Sequence, residues 1–290
     1  MAKSPAHRLG QIIGDVLEAA ILPELGDFAA RHRLYLDKKG RRPCRSGIKC
    51  AWKDLNGNSH DLDFVLERAG TPQHQGVPVA FIETAWRRYT KHSRNKAQEI
   101  QGAIVPLAET HKNAGPFKGA ILAGVFTQGA LTQLRSLGFT VLYFPYETVV
   151  AVFLKFGIDV AFDEDTSEPE LKKKIRAYEK LSPDQRADLS KTLLTANSSE
   201  LGAFVASLEA AVARRIKRIL ILPLYGSACE VANVEDAVKF VERYQAKSKS
   251  MLFVRYEIQI AYNNGDEIKA EFGEKTTAIK FLRSFLPVAI

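Results

Sequence analysis

Two runs of the chain, Phe117 to Phe126 and Phe139 to Pro145, are apolar with few interruptions. A strand of that composition is stable when both of its faces are covered, so helices must lie above and below the sheet that holds it. Helical stretches sit where this requires. Between His7 and Arg33, Leu9, Ile12, Ile13, Val16, Leu17, Ala20, Ile21 and Leu25 recur at helical spacing. Pro23 and Gly26 predict a break there, with one helix ending near Ile21 and a shorter one reaching Arg33. Ser93 reads as the N-cap of a helix to about His111, and Gln128 to Leu137 and Glu147 to Phe156 read as shorter helices. Three strands are expected at Ile48 to Lys53, His60 to Glu67 and Val77 to Ala85, with Asn56-Gly57 turning the first into the second. The order helix, three strands, helix, strand, helix, strand predicts an α/β fold with a mixed central sheet flanked by helices.

Residues 162–169 are acidic and poor in apolar side chains, which predicts a domain boundary there. On that division residues 1–165 form the core and 166–290 a smaller α+β domain. Glu170 to Lys180, Pro183 to Ala196 and Ser199 to Ile216 read as helices, and Ile219 to Leu224 as a strand. Val234 to Tyr244 reads as a helix capped by Asn233. Leu252, Val254, Tyr256, Ile258, Ile260 and Tyr262 alternate along one strand face, Asn264-Gly265 turns the hairpin, and Lys275 to Phe285 closes with a helix. This part carries no catalytic signature, so DNA recognition or dimerisation is its expected role.

The net charge of +8 and pI of about 9.3 favour an anionic partner. The charge is concentrated: Arg31 to Lys53 holds nine Lys or Arg against the single acid Asp37, and a second basic run spans Arg87 to Lys96. Arg41, Arg42, Arg45, Arg87, Arg88 and Arg94 are the expected phosphate contacts. Cys44, Cys50 and Cys229 form neither a disulfide framework nor a zinc pattern, which predicts a reduced, cytoplasmic protein. No apolar stretch is long enough to span a bilayer. Nucleophile-elbow, Walker and dinucleotide-binding glycine motifs are absent, and Trp52 and Trp86 read as packing residues.

Chemistry concentrates between His60 and Gln101. Asp61 and Asp63 share one strand face, and Glu83 ends the apolar run of the next strand. Carboxylates beside a core are costly unless a cation compensates them, and strands about 4.8 Å apart let Asp63 and Glu83 meet on one ion. Mg²⁺ suits such oxygen donors, with Mn²⁺ as a substitute, and metal-assisted phosphodiester hydrolysis uses this arrangement.

The Asp-Leu-Asp-Phe-Val-Leu and Phe-Ile-Glu-Thr-Ala segments, set in that topology, resemble the PD-(D/E)xK nuclease superfamily over residues 8 to 160. The resemblance implies a restriction-endonuclease-like core, with Asp63 and Glu83 as metal ligands. It also implies that Glu18 on the first helix supports the metal and that Lys96 and Gln98 face the site. One departure is plain: the family's lysine, two residues after the glutamate, is Ala85 here. Lys96 is the first choice to replace it and Lys91 the second, with Asp61 a secondary acid. The implied activity is Mg²⁺-dependent cleavage of double-stranded DNA, of restriction or phage-defence type, by a homodimer. The alternatives are a catalytically inactive DNA-binding protein on the same fold, and a nuclease acting on RNA or on branched DNA.

Overall fold

The computed structural model describes residues 4–224, 226–245, 253–263 and 265–286. It separates into two compact units, Met1–Val212 and Ala213–Ile290.

In chain order the first unit contains α1 (Pro5–Arg31), β1 (Leu34–Lys38), β2 (Cys50–Lys53), β3 (Ser59–Leu62), β4 (Phe64–Arg68), β5 (Val77–Arg87), α2 (Ser93–Thr110), β6 (Phe117–Gly124), α3 (Gln128–Ser136), β7 (Thr140–Pro145), α4 (Tyr146–Leu154), α5 (Glu168–Glu179), α6 (Pro183–Thr195) and α7 (Ser198–Val212). The central sheet runs β1-β4-β5-β6-β7. Its first three strands are antiparallel, and β6 and β7 continue parallel to β5. The expected α/β class with a mixed sheet between helices is therefore present.

The two faces of the sheet bury different partners. Phe64, Leu66, Ile82 and Ile121 join the α1 stripe of Leu9, Ile13, Leu17 and Ile21. Val65, Phe81, Ala120 and Leu122 pack with Ala97, Ile100 and Ile104 of α2. Side chains alternate across a strand, so a continuous apolar run serves both cores at once.

Three expectations need correction. First, α1 is one helix through Pro23: the buried stripe resumes at Leu25, Phe28 and Ala29, and that burial outweighs the hydrogen bond a proline removes. Second, the meander opens with β1, which pairs Leu34 to Lys38 against Arg68 to Phe64. The segment expected to open it, β2, instead pairs only with β3 as a separate two-stranded ribbon. Third, the boundary lies after Val212, not at residue 165. Leu171, Ile175, Leu189, Leu193, Phe204 and Leu208 are buried in the same core as α1, and the Phe204 ring meets Phe117 edge-on at 5.3 Å. Within the acidic stretch at 162–169, Phe162 is buried in the first unit's core, 163–167 form a surface loop, and Glu168 and Pro169 open α5.

The second unit is α+β, as expected of the C-terminal part. It comprises β8 (Ile216–Leu224), β9 (Cys229–Val231), α8 (Val234–Arg243), β10 (Arg255–Tyr262), β11 (Glu267–Phe272) and α9 (Lys275–Arg283). The antiparallel sheet β11-β10-β8-β9 sets Ile219, Ile221, Ile258 and Ile260 against Val241 and Leu282 of the two helices. Asn233 caps α8, its side chain accepting from the Asp236 N–H at 2.8 Å. Val254 is exposed, contrary to its expected place on the buried face, and Leu252 and Asn264 lie outside the described residues. Among the described residues no helix is long and apolar enough to cross a membrane.

Candidate functional site

The strand expected from His60 to Glu67 breaks at Asp63. Up to Leu62 the chain pairs with β2, and from Phe64 it pairs with β1 and β5, so Asp63 lies where one strand leaves its ribbon for the central sheet. Its carboxylate is fixed from β5. Asp63 Oδ2 accepts from Thr84 N at 2.7 Å and from Thr84 Oγ1 at 2.8 Å. Oδ1 has no hydrogen-bond partner among the described residues.

Glu83 sits beside it, on the face of β5 that looks towards α2. The register that sets Phe64 opposite Ile82 brings Asp63 alongside Glu83, where the Asp63 backbone N–H favours the ionised form of the Glu83 carboxylate. Glu83 is 7% exposed, and that burial, followed by the charge of Asp63, pushes its pKa up to about 8. Lys96 opposes this shift, with Nζ 3.6 Å from Glu83 Oε2 and 3.5 Å from Glu99 Oε2. Ser93 proves to be the first residue of α2 and not its cap. Its buried Oγ donates to Thr90 O at 2.8 Å, which fixes the start of the helix and places Lys96 about one turn along. Glu18, on α1, feels the same cluster: burial first, then Asp63 and Asp15, raise it to about 7, while Lys39 pulls it down. Glu18, Asp63, Glu83 and Lys96 are thus brought together.

The other predicted residues go elsewhere. Gln98 is exposed on α2 and has no partner among the described residues. Asp61 pairs with Lys49 on the β2–β3 ribbon, and Lys91 pairs with Glu164 at 2.9 Å. Arg42 and Arg45 are not available as phosphate contacts. Strands β1 and β4 bring Asp37 and Glu67 inside, and Arg42 Nη1 pairs with both, at 2.8 and 2.5 Å. Arg42 Nη2 donates to the Thr71 and His74 carbonyls, while Arg45 binds Asp37 and the carbonyls of Lys38 and Gly40. Two acids buried this deeply require such cations, so these arginines hold the fold. Arg88 donates to the Phe162 carbonyl and lies over the Tyr146 ring at 4.2 Å. Arg87 donates to Trp86 O and approaches Glu99 at 3.7 Å. Arg41 and Arg94 are exposed, with no hydrogen bond or ion pair among the described residues.

A groove of about 430 Å³ opens beside the acids, between α1 and the end of β5, lined among others by Glu18, Thr84, Trp86, Arg88, Tyr89 and Lys96. Thr84 is a positioning residue that sequence reasoning passed over. The available signal was its place between Glu83 and Ala85, where a hydroxyl on β5 faces the end of the neighbouring strand. Among the described residues no group of three or more His, Cys, Asp or Glu is arranged to hold a metal ion. Mg²⁺ does not require one, since it is commonly held by one or two carboxylates, with water and substrate phosphate completing the shell. Asp63 Oδ1 and the Glu83 carboxylate are oxygen donors of that kind. The upward shifts of Glu18 and Glu83 come first from burial and then from the charge of Asp63, against which Lys39 acts at Glu18 and Lys96 at Glu83. The donor set therefore fits a divalent cation.

No family model matches the chain, and no curated protein matches it. Among solved structures it is similar to the crystal structure of a protein of unknown function, AF1548. The identity is 11% and the TM-score 0.28, over 64% of this chain and 98% of that one. That likeness is too slight to bear on fold or function.

Proposed function

We propose that Asp63, Glu83 and Lys96 form the active site of a Mg²⁺-dependent endodeoxyribonuclease built on a restriction-endonuclease-like core. The observation that carries this reading is the meeting of the two acids with a lysine from a different element. Lys96 lies 3.6 Å from Glu83, and Ala85, where a lysine is expected, is buried among apolar side chains of the α2 face.

Each residue has a task in the proposed chemistry. Thr84 holds Asp63 so that Oδ1 is offered as a ligand, and Glu83 is the second ligand. A divalent ion held there supplies a water of lowered pKa and neutralises charge on the leaving oxygen. The Lys96 ammonium stabilises the extra negative charge of the pentacovalent transition state at a phosphate oxygen. Glu18, titrating near 7, is suited to receive a proton from the attacking water at its carboxylate. Arg41, Arg87 and Arg94 are the remaining candidates for phosphate contacts. Cutting both strands of a duplex requires two such sites, which a two-fold homodimer provides.

Plasmid DNA incubated with the protein and Mg²⁺ should be nicked or linearised, with Mn²⁺ able to replace Mg²⁺. Asp63→Ala and Glu83→Ala should abolish cutting, and Lys96→Ala should slow it by roughly 100-fold or more. Equal cutting by wild type and the two acid variants removes the assignment. Ala85 favours a second reading, a DNA-binding protein that has lost catalysis. It predicts salt-sensitive DNA binding with no cutting at any metal concentration.

A further inference from the structure

The groove beside the acids has features that metal ligation does not use. Its volume of about 430 Å³ falls in the range of about 300–1,000 Å³ typical of small-ligand sites, room for a single nucleotide and not for a double helix. Its charge suits a phosphate chain, with Arg87, Arg88 and Lys96 among the lining residues against the single carboxylate of Glu18. Trp86, Tyr89 and Phe162 are aromatic residues of its lining. Tyr89 is half-buried, edge-on to Phe162 at 6.4 Å, and its hydroxyl makes no hydrogen bond among the described residues. Trp86 is 8% exposed, yet it lines the groove and its Nε1–H has no acceptor among the described residues. Gly10 on α1 lies against the same edge of the indole: a Cβ there would stand 3.6 Å from Trp86 Nε1, at ordinary contact distance. Trp86 Nε1 is not among the buried unpaired side-chain atoms, so this donor is open to the groove, at the wall of a cationic aromatic pocket, where an acceptor on a ligand can reach it.

We propose that the groove is a subsite for one unpaired DNA nucleotide adjoining the cleaved phosphate, an inference that rests on the active-site reading above. The base stacks on Tyr89, Trp86 Nε1–H donates to an oxygen or ring nitrogen of that nucleotide, and Arg87 faces its phosphate. The preferred substrate is then DNA with a single-stranded extension or flap, since an intact duplex cannot offer a base to the pocket without unpairing it.

Fluorescence anisotropy in EDTA tests this with three labelled probes: a blunt duplex, the same duplex with an unpaired extension, and the extension strand alone. Wild type should bind the extended duplex more tightly than the blunt one. Tyr89→Ala should remove that preference, a loss of roughly 5-fold to 150-fold on the extended probe, the span of one base–aromatic stack. Trp86→Phe, which keeps the ring and removes the donor, should weaken the extended probe alone. If Tyr89→Ala does not fold, Tyr89→Leu keeps bulk and cannot stack. Equal affinity of wild type for blunt and extended duplexes overturns the proposal, as does an equal loss on both probes in the Tyr89 variant. Binding without a divalent ion is independent of cutting, so a protein that shows the preference yet never cleaves DNA refutes the active-site reading alone.

Discussion

At the scale of single residues, the candidate site is set by how deeply its acids are buried and by how close they stand to one another. Glu83 has a pKa near 8 where 4.5 is ordinary, so the folded protein holds that proton more tightly than the unfolded chain does. The contribution to stability is complete below about pH 4.5 and is lost as the pH climbs through about 8. The melting temperature of the wild type should therefore fall between about pH 5 and about pH 8.5, and less so for Glu83→Gln. Added Mg²⁺ should raise the melting temperature most at the alkaline end, where both carboxylates are ionised and free to bind it. A Mg²⁺-induced shift independent of pH contradicts this account. Arg42 obeys the same electrostatics with the opposite result. Asp37 and Glu67 are 2% and 0% exposed and depend on it, so Arg42→Ala should cost about 3–5 kcal/mol in urea unfolding. An Arg42 serving DNA alone would leave the unfolding midpoint unchanged.

At the scale of elements, the decisive event is the change of partner at Asp63. A regular strand through that position would continue its side-chain alternation without a bend. The switch from the β2–β3 ribbon to the central sheet frees the residue to turn its carboxylate onto the Thr84 N–H of β5. The β6–α7 contact shows how tightly such elements fit. At Gly119 on β6 an added Cβ would come within 2.9 Å of Ile82 Cγ1 and of Phe117 Cε1, and 3.1 Å from Phe204 Cζ of α7. Gly119→Ala should destabilise the first unit by about 1–3 kcal/mol, measured by chemical denaturation. A neutral or stabilising result means that α7 does not rest on β6 as described.

At the scale of the whole molecule, the position of the division decides which fragments fold. A chain ending at Val212 keeps the buried side chains that α5, α6 and α7 add to the α1 core, Leu171, Leu189, Leu193, Phe204 and Leu208 among them. One ending at residue 165 leaves the apolar stripe of α1 without those partners. The longer fragment should melt cooperatively, and the shorter should be aggregated or lack a transition by calorimetry. If the shorter one melts as sharply, the first unit ends earlier than Val212. The acidic stretch misleads because composition reports exposure, and the exposed loop at 163–167 inside a domain has the same composition as a linker.

Much of the fold follows from local sequence. The continuous runs of β6 and β7, the helical stripe of α1, and the acids at Asp63 and Glu83 are set by periodicity and polarity, which act over a few residues. The choice of Lys96 over the missing lysine at Ala85 also rests on a local property, its place about one turn into α2. Three features were decided only when distant segments met. β1 lies hidden in a run of nine cations, and it becomes a strand because β4 offers a partner. Arg42 and Arg45 turn inward because Asp37 and Glu67 wait there, although their sequence surroundings are those of a phosphate-binding edge. Thr84 matters only because register brings it beside Asp63. Charge and hydrophobic period belong to a segment, whereas burial and partner choice belong to the assembled pair, and a linear chain does not state which segments will pair.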